Sequence, residues 1–246
     1  MAIEVQVLPD RAALLAAAVA EFVRRADRAA ERGTLDVVLG LDALARPFYD
    51  GLARQRSIPW QRVRFVLADE RRLPPEDPRT RYAEAYDGLF SRVDLPPGNY
   101  WRFWSEGPDP ATVSAYQGVM LQRVFGCGAS EPPRFDLALL ELGPAGEVAS
   151  HFPGDTTFEG EEVATAYRSG EHEAEGYRLT ARTLAACKSV LLLASGPRVA
   201  AALREARGGG SIAQRVAPQR SSTRWLADAQ AAALLAQHAG APRGMA

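Results

Sequence analysis

The chain has 246 residues, 47% of them hydrophobic and 24% charged, an ordinary globular composition with enough length for a sizeable core, and neither a disordered nor a fibrous protein fits it. Its net charge of -1, from 29 basic and 30 acidic residues, creates no field for nucleic acid or an anionic membrane, so a small molecule is the expected partner. Cys127 and Cys187 lack CxxC spacing, and there is no basic-then-apolar leader and no long apolar run; a disulfide framework, a zinc site, secretion and membrane insertion are all disfavoured, and a cytoplasmic setting is expected.

Strand and helix patterns alternate along the chain, which predicts an α/β fold with a mainly parallel sheet covered by helices on both faces. Asp10 caps a helix whose apolar positions Leu14, Leu15, Ala18, Phe22 and Val23 recur at three and four, and Gly33 stops it. Short runs rich in branched residues at 35–41, 63–68, 135–142 and 189–194 read as buried strands. Helical patterns follow Pro47, Thr80 and Pro197, and the cluster Trp101, Phe103 and Trp104 reads as one face of a helix. Arg224-Trp225-Leu226 reads as a last strand, after which Asp228 caps a helix through Ala229, Ala232, Leu234 and Leu235. Residues 239–246 are expected to fray. The loops at Pro74-Pro75, Pro96-Pro97-Gly98, Pro132-Pro133 and Gly208-Gly209-Gly210 are too short to link independent units, so a single domain over residues 1–246 is expected.

Ligands of open α/β sheets bind beyond the carboxyl ends of the strands, which directs attention to residues 42–47, 69–72, 143–151 and 195–198. Asp69, Glu70 and Arg71 place two carboxylates and a guanidinium at one strand end, and arginine's planar fork suits phosphate or carboxylate. Gly143 and Gly146 allow backbone N–H groups to approach an anion closely. A helix starting there would carry Glu147 in its first turn and His151 on the same face four residues later. His172 and His238 are assigned no role.

These segments resemble the 6-phosphogluconolactonase family, relatives of the hexosamine-6-phosphate isomerases. Trp60, Val63, Asp69-Glu70-Arg71, Pro74 and Thr80-Arg81-Tyr82 follow the family's frame around its Asp-Glu-Arg. Residues 143–154 are similar to its Gly-Pro-Asp-Gly-His-Thr-Ala-Ser-Leu-Phe-Pro-Gly, keeping Gly143, Pro144, Gly146, Ala149, Ser150, Phe152, Pro153 and Gly154. The family's Asp and His, the latter its proposed general base, correspond to Ala145 and Glu147. The resemblance implies a three-layer α/β/α domain of Rossmann-like topology without metal or nucleotide cofactor. It implies hydrolysis of 6-phospho-D-glucono-1,5-lactone in the pentose phosphate pathway, the substrate being a small phosphorylated sugar lactone.

Within that resemblance, Glu147 is either a replacement base or a helix-terminal charge, and His151 either a relocated base or a packed ring. The family's Leu-Ser-Gly-Gly-Ser-Thr-Pro loop becomes Leu41-Asp42-Ala43-Leu44-Ala45-Arg46-Pro47, where Arg46 either compensates by charge for lost donors or is simply solvated. Tyr177-Arg178-Leu179-Thr180 resembles the family's Arg-Ile-Thr strand, making Arg178 a phosphate-binding or structural arginine, and Arg198 stands in for a phosphate-binding lysine. The alternative to a hydrolase is a catalytically silent relative that binds a phosphosugar or a protein partner as a regulatory or structural subunit.

Overall fold

The computed structural model describes residues 4–128, 131–155, 160–169, 174–207, 210–216 and 222–235. His172, His238, residues 208–209 and the expected fraying over 239–246 lie outside these residues. In chain order the elements are β1 (Val5–Leu8), α1 (Arg11–Arg32), β2 (Leu35–Gly40), α2 (Ala45–Ala53), β3 (Val63–Leu67), β4 (Asp69–Arg71), α3 (Arg81–Gly88), β5 (Tyr100–Trp101), α4 (Pro110–Val124), β6 (Leu137–Glu141), β7 (Ala164–Ser169), β8 (Ala174–Leu179), α5 (Ala181–Ala185), β9 (Val190–Ala194), α6 (Ala200–Arg207), α7 (Ile212–Val216) and β10 (Thr223–Asp228). Asp10 caps α1 as expected, its carboxylate accepting the Ala13 N–H at 2.8 Å.

Seven strands form one parallel sheet in the order β1-β10-β9-β6-β2-β3-β5. Side chains alternate between its two faces. Val37 and Leu39 of β2, Phe65 of β3, Leu139 of β6 and Leu191 of β9 join α1, α2 and α3 in one core around Phe22, Phe48 and Phe65. Val38, Val66, Ala138, Leu140 and Leu192 face the other way and pack with α4, α5, α6 and α7. The result is the expected α/β/α sandwich. From β2 the sheet grows outward through β3 to β5, then returns to β6 on the opposite side of β2. The switch point therefore lies between the carboxyl ends of β2 and β6.

The composition pattern did not foretell a second, three-stranded antiparallel sheet, β4-β8-β7. Ala68 joins the two sheets. Its N–H donates to Leu39 O at 2.7 Å in the large sheet, and its carbonyl accepts the Leu179 N–H at 2.7 Å in the small one. The chain thus leaves β3 and immediately pairs as β4 with β8, Asp69 opposite Arg178 and Arg71 opposite Gly176.

Three expectations need correction. No helix starts within residues 143–154; that segment is a tight double turn with isolated bridges Leu142–Val148 and Val148–His151. Valine at 148 and proline at 153, neither a good helix former, suit extended and turn backbone better. Trp101 lies in β5, not on a helix, with Phe103 and Trp104 following in a loop, Phe103 fully buried and Trp104 exposed. After β10, Asp228 accepts the Ala231 N–H at 2.8 Å, but the element it meets is a 3-10 turn, Ala231–Leu234, with Gln230 at its N-cap.

The close approach of β4 to β8 depends on Gly176, because a Cβ there would lie 2.1 Å from the Glu70 carbonyl oxygen. Backbone must shift to admit it. Gly176→Ala should therefore lose about 1–3 kcal/mol of stability in urea unfolding; an unchanged midpoint would contradict this packing.

Candidate active site

A cavity of about 270 Å³ opens at the switch point, lined by the loop after β2 (Gly40, Leu41, Asp42, Ala43), by Asp69, Arg71 and Arg81, by Glu141 to Ser150 at intervals, and by Phe152 and Tyr167. Of the residues singled out from sequence, Asp69, Arg71, Gly143 and Glu147 line it. Glu70, Gly146, His151, Arg178, Arg46 and Arg198 do not.

Each of these placements has a local cause. Glu70 alternates away from Asp69 on the short strand and is buried, accepting the N–H groups of Arg71, Arg81 and Tyr82 at 2.7, 2.8 and 2.8 Å. It ties β4 to the start of α3, and burial pushes its carboxyl up to about 7 against the pull of those donors. Gly146 takes φ +85° to make the turn that returns its N–H to Gly143 O at 3.1 Å. Arg46 extends from the exposed side of α2 towards Asp50, 3.4 Å away, and Arg198 is exposed in the 3-10 turn before α6.

Arg178 is fully buried beneath the cavity floor. Its guanidinium pairs with Asp155 at 2.6 Å and donates to Ser150 O at 2.6 Å. Above it, Ala149 and Ser150 adopt φ +48° and +59°, consecutive left-handed residues without glycine's freedom. Ser150 Oγ donates to Asp69 Oδ2 at 2.6 Å. The strained turn is thus clamped from below by Arg178 and from above by Asp69.

Glu147 folds back over the glycine turn. Its Oε2 accepts the Ala145 N–H at 2.8 Å, its carbonyl accepts the Gly143 N–H at 2.9 Å, and a Cβ on Gly143 would meet its Oε1 at 2.0 Å. Only glycine at 143 leaves room for that carboxylate.

Three residues of the cavity carry charge or a hydroxyl that sequence reading passed over. Arg81 bonds Asp42 at 2.6 Å and approaches Asp69 at 3.5 Å, and its hydrogen bond holds Asp42 below the usual carboxylate range against the effect of burial. Glu141 Oε2 accepts the N–H groups of Asp42 and Leu44 at 2.8 and 3.0 Å, while burial raises its pKa. Tyr167 contributes a phenol, raised by burial, from the small sheet. Glu141 was visible as the one charge closing an apolar strand, and Arg81 as the cation after the Thr80 helix cap. No group of three or more His, Cys, Asp or Glu among the described residues is placed to hold a metal ion.

A parallel α/β sheet with a polar cavity of this kind at its switch point defines a doubly wound protein with a small-molecule site. A sequence model of glucosamine-6-phosphate isomerases/6-phosphogluconolactonase matches residues 9–225, and the chain belongs to that family. It is 30% identical over 249 residues to the 6-phosphogluconolactonase of Mycobacterium tuberculosis, covering 96% of this chain and 99% of that protein. Identity to the 6-phosphogluconolactonase of Nostoc sp. is 30% over 150 residues, 61% of this chain and 62% of that protein's length. The crystal structure of the 6-phosphogluconolactonase from Thermotoga maritima has the same fold, with a TM-score of 0.77 at 24% identity over 91% of this chain and 98% of that one.

His151 has its ring in the core, with Nδ1 3.1 Å from Val148 O and 3.0 Å from Ala149 O. Burial first, and the Arg178 charge second, lower its pKa from 6.5 to about 3. The unfolded chain therefore binds a proton that the folded one refuses. Its contribution is complete above pH 6.5 and is lost as pH falls towards 3, with a slope of up to about 1.4 kcal/mol per pH unit. His151→Leu should flatten this acid dependence in urea unfolding across that window; an identical slope in both proteins would contradict a buried neutral ring.

Proposed function

We propose that the protein is a hydrolase of the 6-phosphogluconolactonase type, opening the 1,5-lactone ring of a gluconolactone bound in the switch-point cavity. The observation that carries this reading is Glu147, a carboxylate on the wall of the cavity that Arg71 also lines, in a chain of this family. Glu147 takes a proton from water, and the resulting hydroxide attacks the lactone carbonyl carbon. Charge then develops on the carbonyl oxygen, where the Arg71 guanidinium is the available cation. Collapse of the tetrahedral intermediate breaks the bond to the ring oxygen, which takes up a proton to give the open-chain acid.

The relatives are named for 6-phosphogluconolactone, and that compound is the substrate we assign first. Asp69 serves as a wall of the same cavity, already engaged by Ser150 and Arg81. Glu70, Arg178 and His151 act through the scaffold and Gly146 through the turn, while Arg46 and Arg198 lie outside the cavity. No helix among the described residues is long and apolar enough to cross a membrane. With Cys127 and Cys187 both free, a reducing cytoplasm is the setting we assign.

The test is ring opening of freshly prepared 6-phosphogluconolactone, measured as acid release above the spontaneous rate. Glu147→Gln, which keeps the shape and removes the base, should lower kcat by about 10²–10⁴-fold with little change in KM. A wild-type rate equal to the spontaneous one would remove the hydrolase reading and leave the silent, ligand-binding relative.

A further inference from the structure

Converging backbone N–H groups at a strand-to-helix turn attract anions, because the free donors and the helix dipole both favour negative charge. In this cavity the turn before α2 presents two such donors, from Asp42 and Leu44. Both are already used by one atom, Glu141 Oε2, at 2.8 and 3.0 Å. The turn after β6 is filled in the same way by Glu147 Oε2 on the Ala145 N–H. The cations are largely committed too. Arg81 is paired with Asp42 and Asp69, which leaves Arg71 as the only guanidinium lining the cavity without an ion pair among the described residues. Four carboxylates, those of Asp42, Asp69, Glu141 and Glu147, face the two guanidinium groups.

A phosphate entering this space would have to displace Glu141 from its donors or lie against it, and like charges brought together away from bulk water repel strongly. A hydroxyl group meets no such penalty. We infer that Glu141 is a specificity-determining residue: its carboxylate occupies the anion seat before α2, so the cavity gains no binding from a phosphate on its substrate and takes the unphosphorylated lactone as readily as the phosphorylated one. The inference rests on the lactonase reading and adds a ligand class to it. The same carboxylate fixes the 42–44 turn, so removing it both opens the seat and loosens its rim.

The experiment compares kcat/KM for glucono-1,5-lactone and its 6-phosphate in the wild type, Glu141→Gly and Glu141→Gln, with a parallel calorimetric titration using inorganic phosphate. Glycine empties the seat; glutamine keeps an acceptor for the turn without the charge, and decides the matter if the glycine variant does not fold. The expected result is a wild-type preference of one or less for the phosphorylated lactone. That preference should rise about tenfold or more in Glu141→Gly and in the same direction by less in Glu141→Gln. A wild type that already favours the phosphorylated lactone tenfold, or a ratio unmoved by both variants, overturns the inference. Hydrolysis of neither lactone by the wild type would defeat the lactonase reading instead, and the titration then decides alone: phosphate bound by the variants and not by the wild type supports the inference, and equal binding or none in all three proteins overturns it.

Discussion

Ala68 holds one hydrogen bond in each of two sheets, to Leu39 in the parallel sheet and from Leu179 in the antiparallel one. Much of the site's geometry follows from that single residue. Because the chain changes sheets immediately after β3, Asp69 emerges over the carboxyl ends of β2 and β6 instead of continuing along the sheet. The pairing that receives it sets Arg178 opposite Asp69. One crossover therefore supplies both a carboxylate for the cavity wall and the buried guanidinium that supports its floor.

The floor stores strain, and the charges around it hold that strain in place. Two consecutive left-handed residues without glycine cost on the order of 1–3 kcal/mol each, which a surface loop would relax. Here Arg178 bonds Ser150 O from below, Asp69 takes the Ser150 hydroxyl from above, and Arg178 also lies over the Tyr167 ring, 5.4 Å from its centroid. Removing the guanidinium would break its pair with Asp155 as well as freeing the turn. The cavity above is neutralised largely from within, by Arg81 among carboxylates and by carboxylates on backbone donors. Such a site spends little reorganisation on binding an uncharged ligand.

The fold was largely legible because its signals are local. Asp10 and Gly33 bracket the first helix, and the apolar runs that became β2, β3, β6 and β9 are too short for helices and too apolar for exposed strands. The small sheet escaped detection for physical reasons. β4 consists of Asp, Glu and Arg, residues that strands disfavour, and its partner β8 lies more than a hundred positions away, so no local pattern records the pairing. In the cavity, Asp69, Arg71, Gly143 and Glu147 could be placed because they follow strand ends. Glu70 could not be separated from Asp69, since only the pleat decides which of two neighbours faces a ligand. Helix spacing put His151 beside Glu147, but the segment folds as bridges, which turn the imidazole into the core. Arg46 turns along α2 towards Asp50 and Arg198 lies exposed before α6, so a place near a strand end does not by itself bring a side chain into the cavity. Glu141 and Arg81 were passed over because each looked like the ordinary end of an element.

The central claim is that a sugar lactone occupies the switch-point cavity. The most direct test is a titration of the isotopically labelled protein with D-glucono-1,5-lactam, an uncharged and hydrolysis-resistant stand-in for the lactone, following every backbone amide by NMR. The account predicts saturable shifts concentrated at residues 40–43, 143–147 and 149–150, with the amides of Asp42 and Leu44 remaining bonded to Glu141. Shifts centred elsewhere, or no saturable shift at all, would contradict it.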